Sequence, residues 1–322
     1  MELMHAAVVT SFDAPPRYLQ IEVPVPHDEH QQLVSVVAVG LHPRVRTGAS
    51  GRHYSSTGRL PLIPGVDGVG VLPDGRRVYF VTDDELPGPM AEQTVIDLRR
   101  TVPLPDTAKT ELIAAAMNPA MSSWVALRRR VRIQPGQSVL VLGATGNAGR
   151  MAVQIARHLQ AGRVVGAGRD PDRLAALLGL GADDVVQLTD DDDATAAALA
   201  DTAAEVDIVL DYLWGTPAER AMIALLTRRS DRSRDLDWVE IGAMAGPTLE
   251  LPSVALRSAN LRIQGNGQGA VSTAGYLAEL PALIDEIGTG ALQMTARRVP
   301  LHDVEMAWTD NDPPGQRTVI VP

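Results

Sequence analysis

Residues Val139 to Gly149, VLVLGATGNAG, form an apolar run that ends in a glycine-rich turn and passes into the amphipathic pattern MAVQIARHLQ. A strand, a tight turn and a helix in that order open a βαβ unit of the dinucleotide-binding kind. Ala144, Gly146 and Gly149 keep the spacing G-x-G-x-x-G with alanine in the first place, and Gly143 adds freedom for the turn. Small residues are needed because the backbone from Gly143 through Ala144, Thr145, Gly146, Asn147 and Ala148 to Gly149 must come close to a pyrophosphate. The helix beginning near Asn147 then offers its unpaired N–H groups and positive dipole end to that charge. Methyltransferases and other tight strand-to-helix turns use similar glycines, so the rest of the chain has to carry the argument.

Downstream, short β-branched runs alternate with helix-length segments. Strands are expected at Arg163 to Ala167, Asp184 to Leu188, Val206 to Leu210, Trp238 to Gly242 and Leu261 to Gly265. Helices are expected at Pro171 to Leu178, Ala194 to Ala204 and Pro217 to Arg228. The alternation predicts a six-stranded parallel sheet covered on both faces, a doubly wound α/β domain with its cofactor at the carboxyl ends of the strands.

The end of the second strand bears on which cofactor is held. An acidic residue there accepts hydrogen bonds from the adenine ribose, whereas a small residue followed by arginine admits a 2′-phosphate. Gly168 and Arg169 occupy these places, and Arg173 stands one helical turn further on. Asp170 is the competing signal. It directly precedes Pro171, the pattern of a helix N-cap and first helical residue, which uses the carboxylate locally. NADPH is therefore expected over NADH. Gly242, closing the fifth strand, and Asn266, following the sixth, complete the expected cofactor contacts.

Composition narrows the class. At 322 residues the chain is long enough for two domains, and its net charge of -10 argues against nucleic acid as the main partner. Cysteine is absent, which excludes disulfides, thiol nucleophiles and thiolate metal sites. The acidic run Asp190 to Asp193 reads as a solvated loop and helix start rather than a metal site. No signal-type start or membrane-length apolar run is present, so a cytoplasmic protein is expected.

The first 118 residues read differently. Short strands at Ala6 to Val9, Leu33 to Gly40, Gly68 to Leu72 and Arg77 to Val81 are broken by Pro and Gly pairs such as Pro15-Pro16 and Pro64-Gly65, the punctuation of an irregular β-barrel-like domain. Beyond Val271 the chain adds a helix over 276–290 and closing strands at 297–301 and 317–322. The economical layout is one domain in two pieces, 1–118 and 271–322, with a nucleotide-binding domain, 119–270, inserted between them.

PLIPGVDGVGVL (Pro61 to Leu72), Ala91-Glu92 with VPLPD (Val102 to Asp106), SSWVAL (Ser122 to Leu127), QPGQSVLVLGATGNAG, VDIVLDYL, VPLHDVEMAW and GQRTVIVP follow one another in this chain. In that order they resemble the medium-chain dehydrogenase/reductases, and within them the zinc-free quinone oxidoreductases related to ζ-crystallin. The resemblance covers nearly the whole chain. It implies a GroES-like irregular β-barrel catalytic domain joined to a Rossmann domain, hydride transfer from NADPH, and a homodimer. It also exposes departures. Where zinc-containing relatives carry a cysteine and a histidine-acid pair, this chain has His42, Val66 and Asp67, too few donors for a catalytic zinc site, so no metal is expected. His42 also replaces an asparagine common in quinone reductases, and Val45 a nearby acid, which puts any inherited role of those two positions in doubt.

Without zinc, the acceptor must itself delocalise the incoming charge, as a quinone or an alkene conjugated with a carbonyl does. Tyr54, with His53 beside it, Ser122 and His42 are the candidate hydrogen-bond or proton donors. Trp124 and Trp214 are read as packing. The sequence predicts a zinc-independent NADPH-dependent reductase of quinones or enals and enones. A 2-alkenal or enoyl-thioester reductase and a non-catalytic NADPH-binding sensor or structural protein are the alternatives.

Overall fold

The computed structural model describes residues 2–82 and 85–322, which leaves Met1, Asp83 and Asp84 outside the description. The chain divides into two compact units, one made of Met1–Asn118 with Leu280–Pro322 and the other of Pro119–Glu279.

The first unit is rich in strands: β1 (Leu3–Val8), β2 (Arg17–Glu22), β3 (Gln31–Gly40), then α1 (Pro43–Ala49), β4 (Asp67–Val71), β5 (Arg77–Val81), β6 (Gln93–Asp97) and β7 (Thr101–Pro103). The helix α2 (Thr110–Val125) contains Pro119 at the start of the second unit. β1 and β2 form an antiparallel pair. β3 bulges between Val36 and Ala38 and pairs with three other strands, β4, β6 and the C-terminal strand, so the larger sheet branches there. A bulge lets one long strand bend to serve several neighbours.

The second unit is a parallel sheet with helical crossovers. Its elements are β8 (Ser138–Leu142), α3 (Asn147–His158), β9 (Arg163–Gly168), α4 (Pro171–Leu178), β10 (Asp184–Gln187), α5 (Asp192–Ala203), β11 (Ile208–Asp211), α6 (Gly215–Arg228), β12 (Leu236–Glu240), α7 (Ser253–Arg257), β13 (Leu261–Gly265) and α8 (Thr273–Leu277). The strand order is β10-β9-β8-β11-β12-β13, the doubly wound order with its reversal between β8 and β11. Leu140, Leu142, Val165, Val209 and Trp238 from the sheet pack with Ala218, Met222 and Leu225 of α6 in one buried cluster.

The chain then returns to the first unit through α9 (Leu280–Thr289), β14 (Thr295–Pro300), α10 (Val304–Thr309) and β15 (Gln316–Val321). β15 lies between β14 and β3.

Three helix and strand boundaries are corrected. The single helix over 276–290 is two helices, because Pro281 has no backbone N–H to carry the ladder back to Leu277. The fifth strand of the parallel sheet ends at Glu240 rather than Gly242, since the N–H groups of Ile241 and Gly242 both turn onto the Asp211 carbonyl. The fourth begins at Ile208, because Val206 N–H still closes a turn onto Ala203 at the end of α5. The second compact unit runs to Glu279, whose carboxylate takes Arg128 Nε and Arg129 Nε.

Candidate active site

The turn from β8 into α3 is built by steric exclusion. Gly143 has φ +85, a conformation that side chains disfavour, and its N–H, like that of Ala144, donates to the Ala167 carbonyl. A Cβ on Gly149 would lie 2.3 Å from the Gly143 oxygen, so helix and turn touch there with no room for a methyl group. Gly146 is the N-cap of α3 and supplies no side-chain cap to the helix start, whose dipole end favours an anion. At the end of β9, a Cβ on Gly168 would lie 2.5 Å from Thr145 Cγ2, so the turn packs against a strand end that must stay bare.

Arg169 is exposed beyond that bare end. Asp170 is spent locally: its Oδ1 accepts from Arg173 N–H as the N-cap of α4, and its Oδ2 lies 3.1 Å from Arg173 Nε. The carboxylate that would favour an unphosphorylated ribose is thus held by its own helix, and so is the Arg173 guanidinium.

A second group of polar residues gathers in the same unit. Ser122 Oγ lies 3.1 Å from the Tyr212 hydroxyl, the Ser122 carbonyl accepts from Asn266 Nδ2 at 2.9 Å, and Asn266 N–H donates to the Glu240 carbonyl. α2 and the ends of β11, β12 and β13 therefore meet through one hydrogen-bonded chain. Burial pushes the Tyr212 hydroxyl up to about 12, against the pull of Ser122 and Ser123, so it holds its proton throughout the physiological range. Tyr212 was not anticipated from the sequence, because in VDIVLDYL it reads as one more strand residue.

Beside it, Asp211 is fully buried. Its Oδ1 accepts from Leu213 and Trp214 N–H and its Oδ2 from Trp238 Nε1. These bonds hold Trp214 at φ +52, a rare conformation for a bulky side chain, where it packs against the apolar cluster. Burial raises the Asp211 carboxyl, opposed by its three donors, and burial followed by the Asp211 charge raises Glu240. Trp124 is also buried, with Arg128 5.0 Å from its ring.

His42 and Tyr54 belong to the first unit. His42 is the N-cap residue of α1 and is 1% exposed; its Nε2 lies 3.2 Å from Asp67 Oδ1, and the Tyr79 hydroxyl donates to Asp67 Oδ2 at 2.8 Å. The His42 Nδ1 is buried without a hydrogen-bond partner. Burial lowers the imidazole pKa more than Asp67 raises it, so the ring is neutral near pH 7. Tyr54 stands on the loop after α1, 73% exposed, its ring 4.3 Å from that of His53.

No group of three or more His, Cys, Asp or Glu able to hold a metal occurs among the described residues. His42 and Asp67 are spent on each other, and the place next to Asp67 is filled by Val66. This donor set does not fit a catalytic zinc ion, which takes three protein ligands.

The zinc-binding dehydrogenase family profile matches residues 148–269. A probable NADPH-dependent quinone reductase of Emericella nidulans is 31% identical over a 364-residue alignment that spans 99% of this chain and 100% of that protein. An NADPH-dependent alkenal/one oxidoreductase of Arabidopsis thaliana chloroplasts is 28% identical over 215 residues, 61% of this chain and 53% of that protein. Among solved structures, the quinone oxidoreductase of Thermus thermophilus matches with a TM-score of 0.80 at 26% identity, covering 99% of this chain and 100% of that one. A mycobacterial quinone oxidoreductase matches with a TM-score of 0.82 at 21% identity, over the same shares. A full-length relative above 30% identity, the doubly wound order of the parallel sheet and the glycine turn packed against it agree, and the chain belongs to the zinc-free quinone oxidoreductase branch of the medium-chain dehydrogenase/reductase superfamily.

Proposed function

We propose that this chain is a zinc-independent, NADPH-dependent reductase that passes hydride to quinones or to α,β-unsaturated carbonyl compounds. The observation that carries the reading is the β8–α3 turn, closed to side chains at Gly149 and Gly168 and leading to an N-terminus that no side chain caps. The residues fit the cofactor. The backbone from Gly143 to Gly149 would hold the pyrophosphate, Gly168 and Arg169 the adenosine end, and Gly242 and Asn266 the nicotinamide half. When bound, NADPH supplies the hydride.

The protein's own part is to orient the acceptor and supply a proton. The Ser122 and Tyr212 hydroxyls form a pair that would donate a hydrogen bond to an acceptor oxygen on which negative charge builds, with Asn266 fixing the Ser122 backbone. His42, neutral and buried against Asp67, has no N–H left to donate, and Tyr54 is the exposed alternative donor. Tyr54→Phe separates these roles. Lowered turnover at unchanged NADPH affinity would assign the proton to Tyr54, and unaltered turnover would leave it to the Ser122–Tyr212 pair.

Purified protein oxidising NADPH in the presence of quinones supports the leading reading. Turnover confined to crotonaldehyde-type enals or enoyl thioesters selects the alkenal reductase reading, favoured by the Arabidopsis relative. Tight NADPH binding with no turnover on either panel makes the chain a cofactor sensor. A homodimer joined along β13 and a cytoplasmic location complete the proposal. Among the described residues no helix is long and apolar enough to cross a membrane.

A further inference from the structure

Arg150 follows Gly149 on the first turns of α3, and its surroundings do not suit a cation. Its Nε is buried without a hydrogen-bond partner, and among the described residues its guanidinium has no ion pair or hydrogen bond. Burial alone acts on its charge, with no carboxylate to offset it. Arg46, Arg130, Arg229 and Arg317 also carry an unpaired Nε, yet each places a terminal nitrogen on a carbonyl or a carboxylate. Arg150 places none. An unpaired, partly desolvated charge is costly and persists where a partner arrives from outside the chain.

Helix geometry says which way the side chain leans. Residues seven apart lie on one stripe of an α-helix. Arg157, two turns along α3, donates from Nε to the Gly181 carbonyl at 3.0 Å and pairs with Asp183, both in the connection between α4 and β10. The stripe shared by Arg150 and Arg157 therefore runs on the α4 side of α3. α3 runs back against the strands, so its first turns stand at their carboxyl ends, where β9 gives way to Arg169 and the start of α4. Arg173 is tied there to Asp170, whereas the Arg169 guanidinium, like that of Arg150, has no partner among the described residues. Two uncommitted cations thus follow the turn and the strand end that meet at Thr145 and Gly168, one opening α3 and one leaving β9.

We propose that Arg150 determines cofactor specificity: together with Arg169 it binds the adenosine 2′-phosphate, a group of nearly two negative charges that a single arginine leaves half neutralised. The inference rests on the NADPH reading. NADH would leave Arg150 desolvated and unpaired, so discrimination comes from that penalty as well as from the charge-assisted bonds that the phosphate accepts.

The test compares the full-length protein with Arg150→Gln and Arg150→Lys, using adenosine 2′,5′-bisphosphate and adenosine 5′-monophosphate as calorimetric probes. Arg150→Gln should weaken the bisphosphate about 10–100-fold and leave the monophosphate unchanged, with Arg150→Lys between the two because it keeps charge without the fork. The thermal midpoint of unliganded Arg150→Gln should hold or rise, since an unpaired cation has been removed; a structural role would lower it. If wild-type protein prefers the bisphosphate and Arg150→Gln keeps that preference, or weakens both probes alike, the assignment of Arg150 is overturned while the NADPH reading stands. If wild-type protein shows no preference, the NADPH reading fails and takes this inference with it.

Discussion

His42 sits against Asp67, with Arg317 and Arg44 the other charges that act on it, and is buried so thoroughly that its pKa falls below 6.5 despite the carboxylate. The folded protein therefore refuses a proton that the unfolded chain accepts below about 6.5. Stability should fall as the pH drops through that value, by up to about 1.4 kcal/mol per pH unit, until the folded-state pKa is reached. Urea midpoints at pH 7.5 and 5.5 read this slope, and His42→Asn should flatten it. A slope unchanged in that variant would assign the acid loss to other groups. Tyr212 presents the opposite case. Its hydroxyl holds its proton up to about 12, so Tyr212→Phe removes a donor that is never ionised at working pH. If the Ser122–Tyr212 pair supplies the proton, turnover should drop about 100-fold or more while the Kd for NADPH stays put. A matching loss of NADPH affinity would instead mark Tyr212 as a packing residue of the cofactor site. Neither role could be read from sequence, because burial and partners belong to the fold and not to the residue type.

Among elements, the turn between β8 and α3 makes the sharpest prediction. Gly149→Ala drives a methyl group to 2.3 Å from the Gly143 oxygen, a backbone atom with no rotamer to yield. The expected cost is about 1–3 kcal/mol, measured by denaturant unfolding, together with loss of NADPH binding as the helix moves off the turn. Gly146→Ala meets only the Gly143 oxygen at 3.7 Å and should cost far less, so equal losses in the two variants would refute the packing argument. The same elements explain what was legible. β8, β9 and the α4 boundaries could be read because strands buried on both faces are continuous apolar runs and because Asp170-Pro171 is a local start signal. β2, with its mixed burial, and β7, three residues ending in proline, carry no such pattern; each is held by pairing to another strand, β1 and β5, rather than by its own sequence. Ser122 and Asn266 could be named singly, but their grouping with Tyr212 could not, since 144 positions separate Asn266 from the carbonyl it holds.

The parallel sheet leaves β13 at one margin, paired among the described residues with β12 alone. An unpaired strand margin is a template for association, and proteins that stay single defend it with proline, bulges or outward charge. β13 has no proline, and Arg262 is the charge it carries, which Asp235 and Asp237 neutralise at 2.7 and 2.8 Å. α7, which leads into it, exposes Val254 at 56% and Leu256 at 50%. Apolar side chains flanking an undefended margin favour a second copy of the same chain, because antiparallel pairing about a two-fold axis satisfies both margins at once. Sedimentation at micromolar concentration should therefore give a dimer. Changing Val254 and Leu256 to glutamate places four like charges about that axis in a protein already at net charge -10, and should raise the dimer dissociation constant more than about tenfold with cofactor binding preserved. A wild-type monomer removes the dimer proposal, and a dimer indifferent to the double substitution moves the interface away from β13.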